Sequence, residues 1–432
     1  MEIAALYKIY QQHPVVTTDS RKCPAGSVFF ALKGASFNGN AFATKALEQG
    51  CAYAVIDDEA YACPGDERYI LVEDVLSTLQ QLAHYHREQF NIPVIEITGT
   101  NGKTTTKELI AAVLSKKHQV LYTQGNLNNH IGVPLTLLNL NDTHTIAVVE
   151  TGANHPGEIR TLAEIVDPDF GLITNVGKAH LEGFGSFEGV IKTKGELYDY
   201  LRKKQGTIFL DHDNPYLGEI AGGLHHICYG APSDERISVE GEFLECAPFL
   251  NFKWRPYGGQ WMEVHTRLIG AYNLTNMLAA AAVGRTFGVS DEDISDALAQ
   301  YVPTNNRSQL VETADNRLIV DAYNANPTSM KASLDNFCQM KEERKMVILG
   351  DMKELGADSH DEHQEMVDFL VEAGFRHVWL VGSEFKSTSH PFRTFDDVEQ
   401  VKKALLDKKP KGYEILIKGS NSTKLYELPD YL

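Results

Sequence analysis

Nine residues, Ile97-Thr98-Gly99-Thr100-Asn101-Gly102-Lys103-Thr104-Thr105, could grip the phosphates of a nucleotide. Gly99 and Gly102 let the backbone turn so that successive N–H groups face phosphate oxygens. Lys103 brings a mobile positive charge to the β- and γ-phosphates, and the Thr104 hydroxyl can ligate Mg²⁺. The common form of such a loop has a glycine five residues before the Gly-Lys pair. Ile97 stands there, so the first glycine comes late, at Gly99. A plain glycine turn between strand and helix is the alternative, and Gly-Lys-Thr-Thr at that junction weighs against it. The reading is a triphosphate site for ATP, with Thr98, Gly99, Thr100, Asn101, Gly102, Lys103, Thr104 and Thr105 as its contacts.

Other residues gain interest from where they fall. Glu150 ends the apolar run Thr145 to Val149, and a carboxylate at a strand tip can hold Mg²⁺ or its water. A solvated strand end would look the same. His180 follows another strand, among Gly177, Gly183 and Gly185. Lys194 lies on a helical stretch, where lysine is ordinarily a surface residue. Asn273 and Asn276 precede an alanine-rich helix, and carboxamides three apart share a helix face that could read an adenine edge. A helix cap is the simpler role for Asn273.

The loop TGTNGKTTT resembles that of the Mur ligase superfamily, which makes amide bonds with ATP and includes the folylpolyglutamate synthases. That resemblance implies ATP and two Mg²⁺ ions as cofactors. It puts Thr104, Glu150 and His180 at the metal sites, with Lys194 joining them if N-carbamoylated. Carbamoylation would need a depressed lysine pKa, from burial or nearby cations. The family usually has His where Tyr272 stands, so Asn273 and Asn276 alone carry over to the nucleotide. Arg307 matches an arginine that contacts the nucleotide, in a segment Thr304-Asn305-Asn306-Arg307-Ser308 where Asn306 replaces the family's glycine.

The most discriminating motif is Asp321-Ala322-Tyr323-Asn324-Ala325-Asn326-Pro327. It is similar to the form in superfamily members that add D-alanyl-D-alanine to UDP-N-acetylmuramoyl-tripeptide, which implies those two molecules as partners. Asp321 and Asn324 become catalytic candidates beside Lys103, His180 and Lys194, and Tyr323, Asn324 and Asn326 bind the acceptor. Leu349-Gly350-Asp351-Met352-Lys353-Glu354-Leu355-Gly356 and Lys418-Gly419-Ser420-Asn421-Ser422 agree with those members, though the family often has Arg at Asn421. Near the N-terminus, Ser20, Arg21, Lys33, Phe37, Asn38 and Asn40, with Asn126 and Asn128 further on, resemble the residues that hold the UDP-muramoyl substrate. Two rivals stay open: another ligase of the superfamily adding an earlier stem-peptide residue, and a phosphate-loop ATPase that forms no amide. The Asp-Asn-Pro-Arg signature of the diaminopimelate-adding member is absent.

These residues need elements to carry them. Strand-like runs at Val15-Val16, Ser27 to Leu32, Tyr53 to Ile56 and Tyr69 to Val72 alternate with helical stretches. A helix is predicted over Gln80 to Phe90. The strand VIEIT then enters the glycine loop, and TTTKELIAAVLSKKH has helical spacing. Strands follow at Thr145 to Val149, Gly171 to Thr174 and Thr207 to Leu210. After Pro303 the pattern restarts with Arg317 to Asp321, Lys345 to Gly350, His377 to Val381 and Tyr413 to Ile417, each ending in a polar or glycine turn. In open α/β sheets ligands sit beyond the carboxyl ends of strands, so these turns should line a site. The expectation is an α/β chain of three domains. A small N-terminal α/β domain, 1–85, binds the UDP substrate. A central phosphate-loop mononucleotide-binding domain with a mostly parallel sheet spans 86–303, and a C-terminal Rossmann-like domain spans 304–432.

Composition sets outer limits. The 432 residues are 43% hydrophobic and 23% charged, as in an ordinary globular protein. A net charge of −18 speaks against a nucleic-acid-coating surface, so anionic substrates need local basic groups and helix N-termini. Cys23, Cys51, Cys63, Cys228, Cys246 and Cys338 form no CxxC pair and read as free thiols of a reducing compartment. No signal peptide or membrane-inserted segment is expected. The chain is expected to be cytoplasmic and monomeric.

Overall fold

A computed structural model describes every residue except Asp234, Arg236, Thr304, Asn305 and Asn306. The expected boundary at 303/304 and the Thr304-Asn305-Asn306 portion of the nucleotide segment therefore lie outside the described residues. The chain divides into two compact units. One holds 1–96, 118–153 and 158–170, and the other 97–117, 154–157 and 171–432. All three stretches expected to form domains are α/β, and parallel pairing predominates.

In the first unit Val16–Thr17, Val28–Phe30, Tyr53–Ile56 and Tyr69–Leu71 form a four-stranded parallel sheet in that order. A two-stranded hairpin pairs Lys33–Gly34 with Phe37–Asn38 and holds three of the residues expected at the UDP substrate. The helix Val75–Arg87 starts five residues earlier than predicted, because the Asp74 side chain accepts from Ser77 N at 2.7 Å and caps it. Its Leu79, Leu82 and Ala83 pack with Val133, Leu137, Leu162 and Val166 in one core. Val120–Tyr122 and Ile146–Glu150 pair in parallel, and Glu150 stands at the strand's carboxyl end as read from the sequence.

In the second unit the strands Thr207–Asp211, His225–Gly230 and Val239–Cys246 run parallel. Phe249–Pro256 and Met262–Ile269 then continue antiparallel. The sequence reading did not anticipate these last three eight-residue strands. A six-stranded sheet follows in the order Gln309–Glu312, Arg317–Asp321, Glu414–Lys418, Lys345–Gly350, Val378–Val381 and Arg393–Phe395. All its pairs are parallel except the edge pair Gln309–Glu312 with Arg317–Asp321. Asp321 faces Lys418 and Leu349 faces Lys418 in register, so three predicted turns leave this sheet side by side. All six cysteines are free thiols. Among the described residues no helix is long and apolar enough to cross a membrane.

Candidate active site

The strand Val94–Thr98 is buried at every position and delivers the loop, which leads into the helix Lys103–Leu114. Gly99 has φ +141° and Gly102 φ +78°, and a Cβ on Gly99 would fall 2.0 Å from Thr174 Oγ1. Glycine is required there by backbone conformation and by space together. The loop is then pinned by the turn after Phe170–Ile173. Thr100 N donates to Asn175 O at 2.9 Å and Asn101 N to Asn175 Oδ1 at 3.0 Å, while Thr174 Oγ1 donates to Asn101 O at 2.6 Å. Gly102 caps the helix without a side chain, so the positive end of the helix dipole is not covered by a capping group. Lys103 Nζ donates to Gly99 O at 2.7 Å and Thr100 O at 3.0 Å, which holds its charge over the loop. Thr104 is buried and Thr105 half-buried.

Asn273 and Asn276 lie behind this loop. Asn276 Oδ1 accepts from Thr106 Oγ1 at 3.0 Å, and its Nδ2 donates to Asn273 Oδ1 at 2.8 Å. Asn273 Nδ2 in turn donates to Ile269 O at 2.8 Å. A Cβ on Gly102 would sit 2.9 Å from Asn276 Oδ1. Both amides brace the phosphate-loop helix in this structure.

His180 has a left-handed backbone, φ +51°, and its Nδ1 meets Glu354 Oε2 in a short hydrogen bond. Burial lowers the His180 pKa, the Glu354 charge opposes that shift, and the charges of Lys103 and Lys194 add to it. The structure thus brings three predicted residues, Lys103, His180 and Lys194, into one electrostatic neighbourhood. Lys194 is only 2% exposed on the helix Phe187–Lys204, with Nζ 5.4 Å from the centre of the Phe184 ring. Its burial is one of the two conditions named for carbamoylation.

In the C-terminal part Asp321 Oδ2 pairs with Lys418 Nζ at 2.5 Å and accepts from Ser333 Oγ at 3.2 Å. Lys418 is 2% exposed, a buried cation whose partner is the predicted catalytic carboxylate. Arg307 stacks on Tyr323, its Cζ 4.1 Å from the ring centre. Asn324 Oδ1 accepts from Ala325 N at 2.9 Å. Asn326 opens the helix Pro327–Gln339 with a capping box shared with Ser329. The same side chain reaches the phosphate loop: Asn326 Nδ2 donates to Asn101 Oδ1 at 2.7 Å. Predicted nucleotide and acceptor residues are therefore joined by a direct amide pair.

The first unit holds the remaining predicted residues. Glu150 is 1% exposed; Asn128 Nδ2 donates to its Oε1 at 2.8 Å and its backbone N donates to Thr123 Oγ1 at 2.9 Å. Asn128, read as a substrate contact, thus orients the predicted metal ligand. Next to it, Thr151 Oγ1 donates to Glu96 Oε1 at 2.8 Å, and full burial pushes the Glu96 pKa up to about 8, with the Thr151 bond opposing. Lys33 and Asn40 converge on Asp57, a residue not expected from the sequence, and Asn38 bonds to Asn40. Lys33 Nζ lies 2.8 Å from Asp57 Oδ1, and Asn40 Nδ2 donates to Asp57 Oδ1 at 2.7 Å and Asn38 Oδ1 at 2.8 Å. Asn40 Oδ1 accepts from Asp57 N at 3.1 Å. The only clue to Asp57 was its place just past the strand Tyr53–Ile56. Arg21 is exposed and forked onto Asp19 at 2.8 and 3.0 Å, Phe37 and Asn126 are exposed, and Ser20 is half-buried.

Family models match almost end to end: "Mur ligase family, catalytic domain" over 14–96, "Mur ligase middle domain" over 97–284 and "Mur ligase, glutamate ligase domain" over 306–421. The chain belongs to the Mur ligase family and is an ATP-dependent ligase. It is 34% identical to the UDP-N-acetylmuramoyl-tripeptide–D-alanyl-D-alanine ligase of Bacillus subtilis, over 96% of this chain and 92% of that one. MurF from Acinetobacter baumannii, in crystal structure I, is 33% identical with a TM-score of 0.85, covering 96% of this chain and 92% of that one. MurF from Thermotoga maritima, solved with ADP, is 28% identical with a TM-score of 0.84 and 96% coverage of both chains.

Proposed function

We propose that this chain joins D-alanyl-D-alanine to UDP-N-acetylmuramoyl-tripeptide in peptidoglycan precursor synthesis, at the cost of one ATP. The observation that carries this reading is the near full-length similarity to the Bacillus subtilis ligase, together with the Tyr323-Asn324-Ala325-Asn326-Pro327 turn bonded to the phosphate loop through Asn101. In this reading the N-terminal domain, 1–85, binds the UDP substrate, 86–303 the nucleotide, and 304–432 the acceptor.

A carboxylate is a poor electrophile, so the reaction runs through an acyl phosphate. The terminal carboxylate oxygen of the tripeptide attacks the γ-phosphorus and ADP leaves. The free amine of D-alanyl-D-alanine then attacks the acyl carbon, phosphate leaves, and the amine nitrogen gives up a proton. Phosphoryl transfer asks for positioning and charge neutralisation. Lys103, beside the loop carbonyls, turns onto the β- and γ-phosphates, while the loop and helix N-terminus hold the chain of phosphates. Asp321, oriented by Lys418 and Ser333, and the side chains of Asn324, Tyr323 and Arg307 face the acceptor and nucleotide from the C-terminal turns.

Thr104, His180 and, once N-carbamoylated, Lys194 would hold magnesium in the second unit, and Glu150 would offer a carboxylate in the first. The hydroxyl and carboxylate oxygens of so sparse a set suit Mg²⁺, which keeps waters and substrate phosphates as ligands. When bound, Mg²⁺ neutralises charge on the transferring phosphoryl group. The enzyme works in the cytoplasm as a monomer in this reading.

Purified protein with ATP, Mg²⁺ and UDP-N-acetylmuramoyl-tripeptide should release phosphate steadily only when D-alanyl-D-alanine is added. Release that ignores the dipeptide, or that responds only to a single amino acid with a shorter muramoyl peptide, overturns the assignment.

A further inference from the structure

We propose that Glu354 is a positioning residue for His180, its carboxylate fixing the imidazole tautomer so that Nε2 is presented to the cation that accompanies the nucleotide. This rests on the reading of His180 as a cation ligand.

Three observations converge. The carboxylate of Glu354 meets Nδ1 of His180, and a carboxylate can only accept, so Nδ1 carries the hydrogen and Nε2 is left for another partner. A metal-binding histidine is commonly held this way, by a carboxylate on its other ring nitrogen. Next, the two residues are matched in backbone strain. His180 has φ +51° and Glu354 φ +63°, left-handed conformations that side chains of this size rarely adopt. Lastly, the two segments meet apart from the side-chain pair. Glu182 N donates to Glu354 O at 3.4 Å, and a Cβ on Gly356, at φ +58°, would lie 3.5 Å from Glu182 Cβ.

An incidental surface ion pair needs neither a strained backbone at both ends nor a second, backbone contact beside it. The side chains are 28% and 50% exposed, so the pair is open to a ligand and is not a core salt bridge. Glu354 lies in the turn after the strand Lys345–Gly350 and His180 in the nucleotide-binding part, so the cation ligand is set only when the Leu349-to-Gly356 turn is seated.

The test uses full-length protein labelled with ¹⁵N-histidine, the His180 signals being identified by their loss in His180→Asn. Nitrogen shifts should report the Nδ1–H tautomer in the native protein and in Glu354→Gln, whose amide carbonyl still accepts. In Glu354→Ala they should move toward Nε2–H. Mn²⁺ binding in the presence of ADP, read by electron paramagnetic resonance, should weaken about tenfold or more in Glu354→Ala and recover most of the way in Glu354→Gln. A tautomer unchanged in Glu354→Ala overturns the proposal, and so does Mn²⁺ affinity that ignores the substitution while His180→Asn lowers it. If His180→Asn itself leaves Mn²⁺ affinity intact while the tautomer still follows Glu354, the positioning stands and the cation reading of His180 fails.

Discussion

The phosphate loop at 97–105 and the N-terminal stretch at 18–40 present similar chemistry, glycines among amides and cations, and are built on opposite principles. The loop is held by its backbone. Thr100 N and Asn101 N are anchored on Asn175, the two glycines take left-handed turns, and Lys103 rests on carbonyls of its own loop. The N-terminal stretch is held by its side chains, with Lys33 and Asn40 bonded to Asp57 and Asn38 to Asn40. The Lys103 side chain, which rests on carbonyls of its own loop, is therefore expected to be removable at the expense of chemistry alone. In the N-terminal stretch the same change reaches the fold, except at Arg21, which leans outward on Asp19.

The largest effect should come at the loop. Lys103→Ala is expected to lower kcat by about 10³-fold, because a charge aimed at the transferring phosphate is lost. Its thermal midpoint should stay near the native value; a large drop would make Lys103 part of the scaffold and erase the contrast. Asn40→Ala should do the reverse, removing about 2–3 kcal/mol in urea denaturation by stranding the Asp57 backbone amide, the Asp57 carboxylate and the Asn38 carboxamide. Unchanged stability with a raised KM for the UDP substrate would instead make Asn40 a ligand contact. Arg21→Ala should raise that KM by about tenfold and leave stability unaltered, since an exposed pair such as Arg21–Asp19 contributes little to folding.

Glu96→Gln should give the smallest effect near pH 5 and a growing one above it. The folded pKa of about 8 lies above the ordinary value of 4.5, so the folded state binds the proton more tightly than the unfolded chain. Native stability from this group is full below pH 4.5 and is lost as pH rises toward and through about 8. The glutamine variant carries no proton to lose and should lack that decline in melts taken from pH 5 to 9. Parallel pH curves for the two proteins would show that Glu96 stays ionised in the fold.

Much of the frame could be read ahead of the structure because its signals are local. Tyr53–Ile56, Val94–Thr98, Arg317–Asp321 and Lys345–Gly350 are short apolar runs bounded by turn residues, and each forms the strand expected. Val239–Cys246 escaped because its alternation is lost at the Phe243/Glu245 bulge, whereas Phe249–Pro256 keeps it, with Leu250, Phe252 and Trp254 buried, and was legible.

In the candidate site residue types were legible and pairings were not. His180 stood out among its glycines, but its partner Glu354 lies 174 residues away, and Asp321 gave no sign of Lys418. Asn273 and Asn276 were read toward adenine because of their spacing. That spacing equally suits the chain of amides from Thr106 to Ile269 that they form.

The amide pair between Asn101 and Asn326 has a thermodynamic corollary. If nucleotide entering the loop shifts Asn101 and thereby changes the affinity of the acceptor turn, dipeptide at that turn must change nucleotide affinity by the same factor. In the proposed reading, two carboxamides 225 residues apart in sequence would carry that coupling, in both directions and with equal strength.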